Sequence, residues 1–530
     1  MKLSELVKAV RATQTAGNEK ITDIKINSGT SDPVQDNSPF FYDPEIESVH
    51  YRAQDVRPSG LFVAIPGHSA DGHDFIDQAI ARGASAVVVQ KPVNKDIITI
   101  QVENTRKALG KIAAKFYGNP SMKLVTIGIT GTNGKTTTSY IIESILSSAG
   151  FKVGVIGTIN YRFSGKTFSN PVTTPESLDL QRILSEMVKV GTTHVVMEVS
   201  SHALDLFRIE NCFFDAAIFT NLTHDHLDYH RNMETYWSCK KKLFTDILAF
   251  GPKKEKAFAV INCDDIRGKE LSETLSTKCI KTGSSPAYNV HTINSSLSPE
   301  GIEAAISTPL GSFHFKSNLV GKHNLENVLC AAGLASGLAI APETITEGIE
   351  ALRVIPGRLE RIDNASERSV YVDYAHTPDA LKNVLLSLRP ITKGRLICIF
   401  GCGGDRDRTK RPLMGEIAAS LSDIAVITSD NPRTEDPLDI IKEITDGVMR
   451  KKIHQYAPSE LTNDFNGRGY VTEPDRKRAI QLGINVSRPG DTVLIAGKGH
   501  ENYQITGVIK IQFDDRQEAK LALSSINSAG

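Results

Sequence analysis

The sequence predicts an α/β protein of about three domains with mainly parallel sheets, and three observations carry that prediction. The chain has 530 residues, too many for one hydrophobic core at the usual domain size of roughly 100–200 residues. Short apolar runs alternate with helical stretches over most of its length, the pattern of parallel strands joined by helical crossovers. A glycine-rich turn, Gly131-Thr-Asn-Gly-Lys-Thr-Thr137, sits between a strand-like run and a helix-forming stretch.

Near the start, the apolar run Gly60-Leu-Phe-Val-Ala-Ile65 is followed by a turn, a helical stretch over 75–81, Gly83 and a second apolar run at 86–89. That is a small α/β unit. The segment 18–43 is rich in Ser, Asp, Asn and Pro and reads as loop. From Lys123 the character changes. A strand is expected at 124–129 and a helix at 137–149, where Tyr140, Ile141, Ile145 and Leu146 recur at helical spacing. Further apolar runs follow at 194–199 and 216–219, with a helix-forming stretch at 321–338. Pro356-Gly357 punctuates the chain. A third α/β pattern then has strands at 370–372, 396–400, 424–428 and 492–496. The expected domains are 1–115, 116–355 and 356–530, the last Rossmann-like.

Composition narrows the function classes. Lys plus Arg and Asp plus Glu both number 61, so no global charge favours nucleic acid or an anionic membrane. No apolar run approaches the roughly 18 residues of a membrane span, and residues 1–17 lack the apolar stretch of a secretion signal. Seven cysteines without Cys-x-x-Cys spacing predict reduced, mostly buried thiols rather than disulfides or a zinc site. A cytoplasmic protein is expected.

The glycine-rich turn aims backbone N–H groups at an anion, with the following helix adding positive charge. Lys135 is placed to reach β/γ-phosphates, and Thr136 to set its hydroxyl on Mg²⁺. The strict pattern wants glycine at position 129, where this chain has Ile129. The loop predicts ATP and leaves the reaction open. Glu198 ends an apolar strand, where such proteins often hold Mg²⁺, and a surface or capping charge is the alternative. The run Thr223-His-Asp-His-Leu-Asp-Tyr-His230 is dense in ligand types, and His226 and His230 are spaced to share a helical face. A metallohydrolase therefore stands as a rival, although its usual run needs histidine at Tyr229. Hydrogen-bonding histidines are a third reading. The run Lys240-Lys-Lys242 reads as a solvated helix face. In the last third, four polar or glycine-rich segments directly follow the strands: 373–378, 401–407, 430–433 and 497–501. Ligands bind at that edge of an open parallel sheet.

Taken in order, Gly131–Thr137, Thr173-Thr-Pro-Glu176, Glu198-Val-Ser-Ser-His202, Asn221–His230, Gly357-Arg-Leu-Glu360, Asp373–Pro378, Asp430-Asn-Pro-Arg433 and Gly497-Lys-Gly-His-Glu501 closely resemble the Mur ligases of peptidoglycan synthesis. The match runs from about residue 49 to the C-terminus. It implies the three-domain Mur ligase architecture: a domain for the UDP moiety, a central P-loop ATPase domain and a C-terminal amino-acid domain. It also implies a role in cell wall biogenesis, and so in cell shape and division.

Further consequences rest on the resemblance. ATP phosphorylates the D-Glu γ-carboxylate of UDP-MurNAc-L-Ala-D-Glu, and an amine attacks the acyl phosphate. Gly131, Thr132, Asn133, Gly134, Lys135, Thr136 and Thr137 hold ATP, with Asn327, Arg358 and Asp373. Thr136, Glu198, His226 and Lys240 serve a magnesium site of two ions, Lys240 as a CO₂-derived carbamate (N6-carboxylysine). Lys135, Glu198, His226 and Lys240 form the catalytic set. Thr173, Thr174, Ser200 and Arg208 bind the muramoyl dipeptide. Arg406, Asp430, Asn431, Pro432, Arg433, Gly497 and Glu501 match the set for meso-diaminopimelate. This amino acid carries one carboxylate more than lysine, which suits an arginine fork. A monomer is expected. One departure stands out: His50-Tyr51-Arg52 replaces the Asp-Ser-Arg of relatives, so Tyr51 stands where a serine touches the UDP moiety. Rival readings are a lysine-adding Mur ligase, a folylpolyglutamate synthetase, a P-loop kinase and the metallohydrolase.

Overall fold

The computed structural model describes residues 1–11, 25–27, 43–67, 70–364, 367–461 and 465–529. Its strands gather into three large sheets along the chain and one small hairpin. The first sheet runs Lys25–Asn27, Ile98–Gln101, Ala84–Val89, Gly60–Val63, Ser48–His50. Only Lys25–Asn27 is antiparallel to its neighbour. It lies within the stretch expected to be loop. A polar sequence can close a sheet edge through backbone hydrogen bonds alone, which composition does not announce. Asp43 accepts hydrogen bonds from Ser4, and the rest of 18–43 falls outside the described residues.

The second sheet has a parallel centre ordered Lys278–Gly283, Phe258–Asn262, Ala216–Phe219, Val125–Thr130, His194–Glu198, Val153–Ile156. The strands at 125–130 and 194–198 are buried throughout apart from a half-buried first residue at Val125, which is why they read as unbroken apolar runs. The helix Lys135–Ser148 covers one face with Ile141, Ile142, Ile145 and Leu146, packed beside the helix Lys322–Gly337. Antiparallel hairpins extend both edges: Val290–Ser298, Gly301–Thr308 and Gly311–Ser317 on one side, Tyr161–Phe163 and Lys166–Phe168 on the other. The expectation of parallel sheets missed them. In Gly301–Thr308 the residues packed in the core cluster are Ile302, Ala304 and Ile306, a period-two signal blurred by the apolar Ala305 between them.

The third sheet runs Glu360–Arg361, Ser369–Asp373, Thr492–Ala496, Leu396–Phe400, Ile424–Ile427, Gly469–Thr472, His454–Gln455, parallel except for its first short strand. A hairpin, Tyr503–Thr506 with Ile509–Gln512, stands beside it. The buried pair Arg476–Asp515, 2.6 Å apart, ties the last two helices together.

Polar contacts join the three bodies. Tyr51 Oη donates to Asp179 at 2.8 Å and Arg106 pairs with Glu176 at 2.8 Å, linking the first sheet to the second. His224 N donates to Asp379 at 2.8 Å, and His323 meets Ser387 at 2.9 Å, linking the second to the third. Among the described residues no helix is long and apolar enough to cross a membrane. All seven cysteines are free, and all but Cys279 are buried.

Candidate active site

Parallel pairing of Val125–Thr130 with both His194–Glu198 and Ala216–Phe219 brings the C-terminal ends of three strands level. The loop 131–134 leaves the middle strand there. Gly131 and Gly134 take positive φ of 151° and 85°, conformations that a side chain resists. A Cβ at Gly134 would sit 2.3 Å from Asn327 Oδ1, so the glycine is what admits Asn327 against the loop. Asn327 Oδ1 also accepts from Thr138 at 3.3 Å. Asn133 and Thr132 are held by Asn221 and Thr223.

Two lysines converge on one carbonyl. Lys135 Nζ donates to Gly131 O at 2.9 Å and to Thr132 O at 2.8 Å, and Lys240 Nζ donates to Gly131 O at 2.8 Å. Lys240 is 1% exposed, so the solvated face expected of 240–242 does not extend to it. Its ammonium lies 4.5 Å over the Tyr236 ring. Burial, then the neighbouring Lys135, pushes Lys240 well below the usual lysine value. Burial likewise lowers Lys135. The reason is general: charge in a poorly solvated site, beside like charge, is disfavoured.

Glu198 is 1% exposed, which rules out the surface charge. Its Oε2 accepts from Thr136 Oγ1 at 3.0 Å and Thr158 Oγ1 at 2.8 Å, and its Oε1 from Thr158 N at 3.0 Å. Arg358 crosses from the third body to reach Thr136 Oγ1 at 3.3 Å, its guanidinium 4.8 Å over the Tyr374 ring. Asp373 fixes that segment by accepting from Leu359 N at 2.7 Å and Ala375 N at 2.8 Å, and burial raises its pKa. His376 and His500 lie close by, pushed down to about 4 and about 3, first by burial. Nucleotide candidates from two bodies therefore meet at one place.

His226 does not share a helical face with His230. The short helix is Leu227–His230, and His226 precedes it at φ 55°. His226 is exposed with its Nε2 3.4 Å from Asp225 Oδ2, whereas His230 is buried against Ser201 at 2.9 Å. The rings of His202, His226, Tyr229 and His230 form an aromatic cluster. Among the described residues no three His, Cys, Asp or Glu side chains form a cation-holding group.

The dipeptide candidates gather where the strand ending at Glu198 emerges. Thr174 Oγ1 donates to Glu198 O at 2.8 Å and accepts from Ser200 N at 3.2 Å. Thr173 meets Thr158 at 3.1 Å, and Arg208 donates to Thr174 O at 3.1 Å. Further out, Tyr51, Arg52, Arg57, Arg82, Tyr117 and Arg182 line a cavity of about 660 Å³ at the end of strand Ser48–His50.

At the third sheet, Arg406 and Arg433 flank Gly403. Arg433 has φ 51° and its Nη1 donates to Gly404 O at 2.7 Å. Asn431 Nδ2 donates to Glu501 Oε2 at 2.9 Å. Gly497, at φ 116°, leaves no room for a Cβ beside Asp430 Oδ2. Sequence reasoning missed Thr158, Tyr236, Arg411 and Lys498. Lys498, fully buried, reaches Asn431 Oδ1 at 3.1 Å and Glu501 Oε2 at 3.3 Å. Its place in Gly497-Lys-Gly-His-Glu501 was the available signal.

Three family models cover this chain in the same order: the Mur ligase family catalytic domain over 45–117, the Mur ligase middle domain over 129–335 and the Mur ligase glutamate ligase domain over 357–499. The protein belongs to the Mur ligase family. Among its relatives is the UDP-N-acetylmuramoyl-L-alanyl-D-glutamate–2,6-diaminopimelate ligase of Geobacter metallireducens, 48% identical over 488 residues, which span 92% of this chain and 96% of that one. A solved structure of a ligase of the same name is 31% identical, with a TM-score of 0.65 over 91% of this chain and 95% of that one. The MurF ligase of Thermotoga maritima in complex with ADP shares the fold, with a TM-score of 0.61 at 18% identity over 92% of this chain and 99% of that one.

Proposed function

We propose that this protein is an ATP-dependent, ADP-forming ligase that joins meso-diaminopimelate to the D-Glu γ-carboxylate of UDP-MurNAc-L-Ala-D-Glu. It acts as a cytoplasmic monomer in peptidoglycan precursor synthesis. The observation that carries the reading is the placement of Arg406 and Arg433 around Gly403, on loops tied to the same sheet edge where Glu501 accepts from Asn431, so that neighbouring loops present cationic forks and a carboxylate. A ligand bearing both carboxylates and ammonium groups complements that set. The name shared by the 48% identical relative supports it, and the ADP complex of the MurF ligase supports the nucleotide.

Residues 131–137 hold the triphosphate, with Asn327, Arg358 and Asp373 on the nucleotide. Thr173, Thr174, Ser200 and Arg208 hold the dipeptide so that its γ-carboxylate faces Lys135. A carboxylate is a poor electrophile, and phosphorylation gives it a leaving group. The amine held by residues 430–433, Arg406, Gly497 and Glu501 then attacks, a C–N bond forms and phosphate departs. Closure of the domains over residues 1–115, 116–355 and 356–530 keeps water from the acyl phosphate. We assign the uridine diphosphate end to the arginine-lined cavity at Tyr51.

The donor set fits Mg²⁺: Glu198 and the Thr136 hydroxyl supply oxygen, His226 supplies nitrogen, and a neutral Lys240 amine can take up CO₂ to become an anionic oxygen donor. Two such ions would neutralise the charge of the triphosphate. The test is phosphate release from ATP with Mg²⁺ and the UDP-muramoyl dipeptide. Release that depends on meso-diaminopimelate and is far slower with L-lysine is expected. Equal rates with both amino acids refute the specificity, release without any amine indicates a kinase or ATPase, and no release refutes the ligase.

A further inference from the structure

Arg411 lies in the first turn of the helix Lys410–Leu421 and is fully buried. Its Nη1 donates to Glu435 Oε2 at 2.9 Å and Glu443 Oε2 at 2.8 Å, and its Nη2 to Glu435 Oε1 at 2.8 Å and Gly403 O at 3.3 Å. Glu435 follows the Asp-Asn-Pro-Arg turn, and Glu443 is on the helix Pro437–Met449. Gly403 belongs to the other loop, the one bearing Arg406. One guanidinium thus grips both loops and the helix behind them. The loops are stitched further by Gly404 N to Asn431 O at 2.9 Å and by Thr434 Oγ1 to Asp405 at 2.7 Å. Gly404 permits the approach, since a Cβ there would fall 1.9 Å from Pro432 O. Arg411 holds the Glu435 carboxyl down at about 2, so the pair stays charged throughout the working pH range.

A buried ion pair is weak evidence of stabilisation, because desolvation offsets most of its attraction. What such a pair does supply is a fixed distance between the parts it joins. Here those parts carry the two arginines proposed to read the amino acid, and neither arginine has that rigidity by itself. Arg406 is exposed, with its Nη1 on its neighbour's carbonyl, and Arg433 is anchored through Gly404 of the same joined loops.

We infer that Arg411 is a positioning residue that sets the spacing between Arg406 and Arg433, and so the discrimination for a diamino acid bearing a distal carboxylate over lysine. This rests on the ligase reading above. Lysine is the informative replacement, since it keeps the buried charge but cannot span two carboxylates and a carbonyl with one planar fork. A displacement of about 1 Å at a recognition site can cost on the order of 100-fold.

The experiment compares wild type, Arg411→Lys and Glu435→Gln in the phosphate-release assay, with thermal melting alongside. Glu435→Gln keeps Arg411 on Glu443 and serves if the lysine variant does not fold. Expected is a rise of about 10-fold or more in KM for meso-diaminopimelate, with KM for ATP and for the UDP-muramoyl dipeptide within about twofold, and a narrowed preference over L-lysine. Equal changes in all three KM values, or a fall in kcat and melting temperature with the amino-acid preference intact, would show a merely structural residue and overturn the inference. Wild type that releases phosphate while both variants match it refutes Arg411 alone; wild type inactive with meso-diaminopimelate refutes the ligase reading and this inference with it.

Discussion

Replacing Arg433 by methionine tests the amino-acid site most directly. The backbone there has φ 51°, and arginine and methionine meet the same strain in that region, so the comparison isolates the side chain. Nη1 is committed to Gly404 O at 2.7 Å, which aims the rest of the fork. Two charge-assisted hydrogen bonds to a ligand carboxylate contribute roughly 1.5–3 kcal/mol each. The side chain is half-buried, so the lower figure applies and the pair comes to about 3 kcal/mol. That corresponds to a loss on the order of 100-fold in kcat/KM for meso-diaminopimelate. L-Lysine has no distal carboxylate to lose, and its kcat/KM should change less than about threefold. Loss of the Gly404 contact costs about 1 kcal/mol, a melting shift of roughly 2–4 °C, so the protein stays folded. Steady-state phosphate release with each amino acid reads both constants. A drop below about threefold for meso-diaminopimelate, or an equal drop for both substrates, would refute the assignment of Arg433 to the distal carboxylate.

Lys240→Ala should lower phosphate release by at least about 100-fold, in line with the several kcal/mol a metal ion contributes to such a step. Wild type incubated with ¹³CO₂ should show a carbamate NMR signal that the variant lacks; full activity in a folded Lys240→Ala protein refutes the modification. Gly134→Ala places a Cβ against Asn327 Oδ1 in a loop at φ 85° and should weaken nucleotide binding about 10-fold or more; unchanged affinity by calorimetry would count against the loop's role. His323 is pushed down to about 4 by burial, whereas an unfolded histidine takes its proton near 6.5. The unfolded chain therefore binds more protons between those values, and stability present above pH 6.5 is lost as pH falls towards 4, by at most about 3 kcal/mol from this group. Denaturant titrations should show His323→Phe losing less over that interval than wild type, and parallel losses would refute the attribution.

The sequence by itself determined what is contiguous. The phosphate loop, the apolar strands at 125–130 and 194–198, and the ordered segments from Gly131 to Glu501 were legible because residues close in the chain set their own backbone shape and burial pattern. The antiparallel edges at 290–317 were not, since the apolar Ala305 blurs the alternation of the inward-facing Ile302, Ala304 and Ile306. Nor was the strand at 25–27, which pairs through its backbone in a polar segment. Only the tertiary structure decided which charges lose their water. It turned Lys240 from an apparent surface lysine into a buried amine on Gly131 O, made Glu198 a buried acceptor for Thr136 and Thr158, and separated exposed His226 from buried His230. It alone brought Arg411 onto Glu435, Glu443 and Gly403. Such contacts depend on how strand ends far apart in sequence are brought level, and solvation follows from that packing rather than from the identity of neighbouring residues.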